Sequence, residues 1–273
     1  VTGASTADVA VILVDARYGV LTQTRRHSYL VSLLGIKHVA VAINKLDLVD
    51  YSQDVYEQIK KDYLAFAAEI GLDDVTCIPM SALRGENITA PSEHTPWYDG
   101  PTLMGYLEGV KVDDDRQAGP FRMPVQWVNR PDLDFRGFAG EIVGGTVRVG
   151  DAVRVVPAGT TSTVSRIVTL DGDLEQAVAG QSVTITLADE IDCSRGDVLC
   201  AADHPAPAAD QFRTHLVWMA EEAMQPGRAY LVKIGARTVG ASISGPEFRI
   251  DVNTLEQQQA ETLHLNEIGV CDI

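Results

Sequence analysis

Hydrophobic spacing changes part-way along this 273-residue chain, and the change divides it. Up to about residue 111, short apolar runs alternate with stretches of helical period. Residues 9–14, 38–43 and 75–80 are compact apolar runs of the kind a parallel sheet buries on both faces. Between them, residues 22–34 place Tyr29, Leu30, Leu33 and Leu34 at helical spacing, and residues 51–70 place Val55, Ile59, Tyr63 and Phe66 on one face. Gly35 and Gly71 stand where helices end. A loop rich in Pro, Gly and Asn runs to Pro101, before a short helix near residues 103–107. Alternating strand and helix predicts a doubly wound parallel sheet.

Residues 112–119 are charged, poor in apolar side chains and followed by Pro120, which predicts a linker. Beyond it the period is two. Residues 146–155 alternate across a Gly150-Asp151 turn, and residues 182–187 alternate again. Turn pairs recur at Gly144-Gly145, Ala158-Gly159, Asp171-Gly172 and Ala179-Gly180, as in a small antiparallel barrel over residues 120–203. Residues 201–207 make a second break. Expected strands at 211–219 and 228–234 then suggest another barrel, incomplete, over 208–273.

Composition narrows the class. Hydrophobic residues make up 45% and charged residues 22%, ordinary for a globular protein. No apolar run approaches the ~20 residues of a membrane helix, so no membrane association is expected; no secretory leader is visible, and a longer start could carry one. Cys77, Cys193, Cys200 and Cys271 are scattered, with no Cys-x-x-Cys. This fits reduced thiols and a cytoplasmic location, and no metal site is expected in them or in His94, His204, His215 and His264. The net charge of −16 is shared unevenly, −5 over residues 1–111 and −11 over residues 112–273. The second part has no basic stripe for nucleic acid.

The chemistry centres on Asn44-Lys45-Leu46-Asp47, which ends the 38–43 run. Polar residues at the carboxyl end of such a strand lie where open α/β sheets bind ligands. There an Asp can accept two parallel hydrogen bonds from the N1 and N2 hydrogens of guanine, a donor pair that adenine lacks. Asn44 would supply an amide to the other ring edge and to neighbouring loops. The Lys45 stem would cover the base, and Leu46 would pack inward. The bland reading is a solvated turn at a helix start. Ser81-Ala82 follows the 75–80 run. It reads either as a cap opening a turn or as a backbone N–H aimed at the guanine O6. Position after two buried strands favours the base contacts in both cases.

Other strings have milder readings. Arg195-Gly196-Asp197 predicts a turn with Gly in a left-handed conformation rather than an adhesion signal. Arg25, Arg26 and His27 read as a solvated helix turn, with a partner-binding face as the alternative. Asp113 to Asp115 read as a solvated run. Asp134, Phe135 and Arg136 read equally as an interface anchor or an internal staple of a barrel loop.

In this order, Thr2-Gly3-Ala4-Ser5-x-Ala7-Asp8, Gln23-Thr24-Arg25-x-His27, Asn44-Lys45-x-Asp47 and Ser81-Ala82 resemble the translational class of GTPases, the superfamily of elongation factor Tu. Further strings resemble the family of large GTP-binding subunits of bacterial sulfate adenylyltransferase. They are Leu34 to His38, Asp47 to Ser52, Pro96 to Leu103, Asn129-Arg130-Pro131-x-Leu133-Asp134-Phe135-Arg136-Gly137 and Asp189 to Asp197. The resemblance covers essentially the whole chain. It implies a partial P-loop-type GTPase domain (1–111) followed by two antiparallel β-barrel domains. It also implies GTP as ligand, with guanine held by Asn44, Lys45, Asp47, Ser81 and Ala82. No Gly-Lys-Ser/Thr occurs and the sequence opens at Val1, in what reads as the tail of a helix. The phosphate loop and the residues for Mg2+ and catalysis are therefore expected upstream, and this piece alone is expected to bind GTP poorly. The implied role is coupling GTP hydrolysis to formation of adenosine 5'-phosphosulfate from ATP and sulfate on a small catalytic subunit. The alternatives are a factor delivering aminoacyl-tRNA and a nucleotide-free scaffold beginning at Val1.

Overall fold

A computed structural model describes all residues except 1, 2, 5, 6, 113–115 and 133. Half of the expected opening helix tail and the whole Asp113–Asp115 run thus lie outside the described residues. The chain forms two compact units, residues 1–112 with 249–259, and residues 113–248 with 260–273.

In the first unit β1 (Val9–Asp15), β2 (His38–Asn44) and β3 (Asp74–Pro79) form a parallel sheet in the order β1-β2-β3. Residues Val39 to Ile43 of the central strand are almost wholly excluded from solvent, as a continuous apolar run at the middle of a parallel sheet requires. The edge strand β1 differs, because Ile12 and Val14 are buried while Leu13 is exposed. Helix α1 (Thr22–Leu33) ends with Gly35 at φ 75, where the Ile36 N–H reaches back to the Val31 carbonyl at 3.2 Å. Helix α2 (Gln53–Glu69) begins at Ser52, whose Oγ accepts from the Val55 N–H at 3.3 Å, and ends at Gly71, φ 71. Its Ile59, Tyr63 and Phe66 enter the core as their spacing predicts, joined by Tyr56 and Ala67, with Val55 partly buried.

The buried face of α1 is not the expected one. Thr24, Ser28 and Val31 are buried, whereas Tyr29, Leu30 and Leu33 are only half-buried and Leu34 is exposed. The Ser28 hydroxyl meets the Tyr63 hydroxyl at 2.7 Å and donates to the Thr24 carbonyl at 2.9 Å. A satisfied polar pair therefore sits where the apolar stripe was expected. Helix α3 (Leu103–Gly109) is capped by Thr102, whose Oγ1 accepts from the Gly105 N–H at 3.1 Å.

The second unit holds a closed antiparallel barrel. Its ladder runs from β4 (Arg122–Pro124) at one end to β5 (Trp127–Asn129) at the other, with five strands between them, in the spatial order 198–201, 152–156, 161–169, 182–187 and 137–141. The others are β6 (Gly137–Glu141), β8 (Ala152–Val156), β9 (Thr161–Thr169), β12 (Ser182–Leu187) and β13 (Val198–Ala201). First and last strands are consecutive in sequence, so the segment 122–129 closes the ring. Phe138, Ile142, Ile167, Ile185 and Leu199 fill it. The 146–155 run does not stay in one sheet. Its first half, β7 (Thr146–Arg148), pairs with β11 (Gln176–Val178), and its second half is β8. The expected turns at Gly145, Gly159, Gly172 and Gly180 all take positive φ, and β10 (Gly172–Leu174) turns back on β9.

After the second break, β14 (Arg213–Val217) pairs antiparallel with β19 (Ile268–Asp272) around Met224, Ile243, Leu263 and Cys271. A hairpin joins β15 (Ala229–Ile234) to β16 (Arg237–Ser242), and β17 (Phe248–Ile250) pairs with β18 (Gln257–Gln258).

Candidate functional site

Parallel strands bring their carboxyl ends to one rim, and the predicted site residues meet there. Asp15 and Asn44 are register partners at the ends of β1 and β2, and the Ala16 N–H donates to the Asn44 carbonyl at 2.9 Å. The Met80 N–H donates to the Ile43 carbonyl at 2.9 Å, and the Leu46 N–H donates to the Met80 carbonyl at 3.2 Å. These bonds fasten the end of β3 beside the Asn44-Lys45-Leu46-Asp47 turn.

Asn44 joins the two motifs. Its Oδ1 accepts from the Lys45 N–H at 2.7 Å and from the Ala82 N–H at 2.9 Å. Its Nδ2 has no hydrogen-bond partner among the described residues, leaving a donor at the rim. Sequence reasoning aimed the Ala82 N–H at a ligand oxygen, and here it serves Asn44. Ser81 is fully buried. Its Oγ accepts from the Arg84 N–H at 3.3 Å, and its backbone exchanges hydrogen bonds with Glu86. It therefore opens a turn, as its mild reading proposed, and shapes the loop that carries Ala82. The buried Asn87 side chain ties that loop further, to the Pro79 carbonyl, the Thr95 hydroxyl and the Ser92 N–H.

Lys45 stands at φ 63, a left-handed conformation costly for a side chain with a Cβ. Leu46 is fully buried, as expected, and pins the turn. Asp47 is half-buried in the first turn of the short helix Leu46–Val49, and its carboxylate accepts no hydrogen bond among the described residues. Beyond it Tyr51 stacks on His94 with ring centroids 4.6 Å apart.

One contribution went unread in the sequence. Lys45 Nζ lies 2.9 Å from Asp15 Oδ2, and Arg17 holds the same carboxylate through Nε at 2.9 Å and Nη2 at 2.7 Å. The Arg17 bonds, with Lys45 adding to them, hold the Asp15 carboxyl well below the usual carboxylate range against the cost of partial burial. An Asp at the end of β1, in register with Asn44, is the available signal.

The family "Elongation factor Tu GTP binding domain" matches residues 1–190. The chain belongs to that family. Residues 211–273 match "GTP-eEF1A C-terminal domain-like". Sulfate adenylyltransferase subunit 1 of Cellvibrio japonicus is 54% identical over 272 residues, covering 100% of this chain and 58% of that protein. The bifunctional enzyme CysN/CysC of Xylella fastidiosa is also 54% identical over 272 residues, covering 100% of this chain and 44% of its own length. The chain thus spans about half the length of these curated relatives. A solved structure of sup35 complexed with GDP superposes with a TM-score of 0.55 at 24% identity, over 99% of this chain and 70% of the other, which speaks to fold alone. The chain is therefore an elongation factor Tu-like GTPase domain followed by a β-rich carboxyl-terminal part.

In the second unit the Asn129–Gly137 and Asp189–Asp197 strings converge. Asp134, Phe135 and Arg136 face Asp189 and Glu190 across a cavity of about 220 Å³. The Arg136 guanidinium lies 5.4 Å from the centre of the buried Phe138 ring. Arg195-Gly196-Asp197 is a turn, with Gly196 at φ 94 and the Asp197 N–H donating to the Ser194 carbonyl at 3.0 Å. On α1, Arg25 lies over the Phe66 ring, 4.7 Å from its centre, and Arg26 donates to Gln23. Cys77, Cys193, Cys200 and Cys271 are buried free thiols, and burial pushes Cys77 and Cys193 up to about 12. Among the described residues no helix is long and apolar enough to cross a membrane.

Proposed function

We propose that the rim of the first unit reads guanine in GTP, and that the protein is the GTPase subunit of sulfate adenylyltransferase. In this reading Asp47 accepts the N1 and N2 hydrogens, Asn44 offers Nδ2 to the opposite ring edge, and the Lys45 stem covers one base face. Ser81 shapes the loop that carries Ala82 to the O6 side of the base, where the Ala82 N–H holds Asn44 in place. The observation that carries it is Asn44 Oδ1 accepting from Ala82 at 2.9 Å, which draws the two motifs into one site.

Hydrolysis in this reading drives adenylyl transfer from ATP to sulfate on a small catalytic subunit in the cytoplasm. Coupling requires only that the nucleotide states bind that partner's states differently. Identity of 54% to sulfate adenylyltransferase subunit 1 supports this over aminoacyl-tRNA delivery. Magnesium would come with the nucleotide phosphates. Asp15, the carboxylate at the end of β1, is already neutralised by Arg17 and Lys45, so no residue here is assigned to the ion.

Asp47→Asn tests the base contact in the full-length protein. An amide can donate where xanthine presents a carbonyl, so preference should pass from guanine to xanthine nucleotides. Unchanged preference for GTP removes Asp47 from the site.

A further inference from the structure

The base-facing residues above leave Asp15 and Arg17 without a role, yet Asp15 is committed to Lys45 and Arg17 to Asp15. Lys45 has a long stem with several rotatable bonds, and a free ammonium would spread that stem over many conformations. Here its Nζ is anchored 2.9 Å from Asp15 Oδ2. Asp15 in turn is held against rotation by a forked Arg17 contact and by the Arg17 N–H, which donates to Oδ1 at 3.1 Å. Because β1 and β2 are parallel and in register, this anchor lies beside Asn44, on the side away from Ala82.

We propose that Asp15, locked by Arg17, is a positioning residue that holds the Lys45 stem as a preformed plate for the purine ring. The inference rests on the guanine reading of the rim and adds a division of labour. Asp47 chooses which purine binds, whereas Asp15 acts through Lys45 on how tightly any purine stacks. The anchor is partly solvated, with side-chain exposures of 47% for Lys45 and 21% for Asp15, so the effect is modest.

The test measures dissociation constants for guanosine and inosine diphosphate on the full-length protein and its variants. Inosine lacks the N2 amine that Asp47 reads. Asp15→Asn is expected to weaken both nucleotides by the same factor, about three- to five-fold, leaving their ratio unchanged. In a Lys45→Ala background the same substitution is expected to cost nothing more, because the group it positions is gone. Asp15→Glu is expected to recover part of the loss. If Asp15→Asn leaves both affinities intact, or costs as much without Lys45 as with it, Asp15 is structural and the proposal fails. Asp47→Ala separates the two readings, since it should collapse the guanosine-to-inosine ratio. If that ratio survives, or the wild-type protein does not hold guanosine diphosphate, the guanine reading falls and takes this inference with it.

Discussion

In the first unit every strand of the sheet ends on the same rim, whereas in the barrel of the second unit neighbouring strands end on opposite rims. The first arrangement places Asp15, Asn44 and Ser81 at three adjacent strand ends, where Lys45 bonds to Asp15 and the Ala82 N–H bonds to Asn44. The second distributes its polar strand ends, and what it gathers are loops, as at the Asp134–Arg136 and Asp189–Glu190 cavity. Burial follows the same contrast. The central parallel strand is apolar at every position from Val39 to Ile43, while β12 alternates inward Val183 and Ile185 with outward neighbours. Strand direction thus decides where chemistry can collect, and the two cores can be perturbed separately.

Truncating a core ring is the largest test of that separation. Phe66 and Phe138 are each about 2% exposed, in different cores. Phe66→Ala should cost about 3–5 kcal/mol. Hydrogen exchange should show lost protection in β2 with β6 and β12 still protected, and Phe138→Ala should give the reverse. Simultaneous loss in both units for either variant would mean that they open as one.

Alkaline titration probes the first core without removing volume. Burial raises the Cys77 thiol from 9 to about 12 and the Tyr63 hydroxyl from 10 to about 12. These groups stay neutral in the folded chain and ionise earlier in the unfolded one. Their contribution is therefore complete below pH 9 and disappears as pH rises towards 12. Each buried thiol adds a loss of about 1.4 kcal/mol per pH unit across that window. Denaturant unfolding of Cys77→Ala from pH 8 to 11 should show a shallower decline than the parent chain. An identical slope would mean that the thiol is solvated.

What could be read in advance followed the same contrast. Parallel strands and the stops at Gly35 and Gly71 were legible, since each rests on local periodicity or one backbone conformation. The inner face of α1 was not, because Ser28 is buried through a bond to Tyr63, thirty-five residues away. Hydrophobic spacing cannot register a polar pair satisfied at long range. Asn44, Lys45, Asp47, Ser81 and Ala82 could be proposed from strand-end position, and the structure brings them to one rim. Asp15 and Arg17 escaped notice because their link to Lys45 exists only once β1 and β2 are in register. In the second unit period two and the Gly150-Asp151 turn marked the two strands of 146–155, but nothing in the pattern showed that β7 and β8 take partners in different sheets.

Two glycines of similar backbone conformation sharpen the comparison further. Gly145 has φ 72, and a Cβ there would run into the Phe121 amide and the Pro120 carbonyl carbon. Gly35 has φ 75 with open space around it. Gly35→Ala should therefore cost only the left-handed conformation, about 1 kcal/mol. Gly145→Ala adds a backbone displacement at the barrel rim and should cost about 2–3 kcal/mol. Equal midpoint shifts in urea would show that the barrel rim yields as easily as a helix end.

The smallest effect asks whether the barrel's loop cavity is a docking surface or internal packing. Arg136 spreads its guanidinium over Phe138, and the Phe135 ring lies so close to Gly137 that a Cβ there would stand 2.7 Å from it. Both contacts are made within the loop and its own strand, which favours a staple. A half-buried cation over a ring contributes about 0.5–1 kcal/mol, so Arg136→Ala should lower the melting temperature by roughly 1–3 °C. Affinity for the proposed small catalytic subunit should then stay within error, because the guanidinium is engaged by the Phe138 ring of its own strand. The opposite result, an unchanged melting temperature with weakened subunit affinity, would place Arg136 in an interface. The barrel would then gather function in its loops as the parallel sheet gathers it at its strand ends.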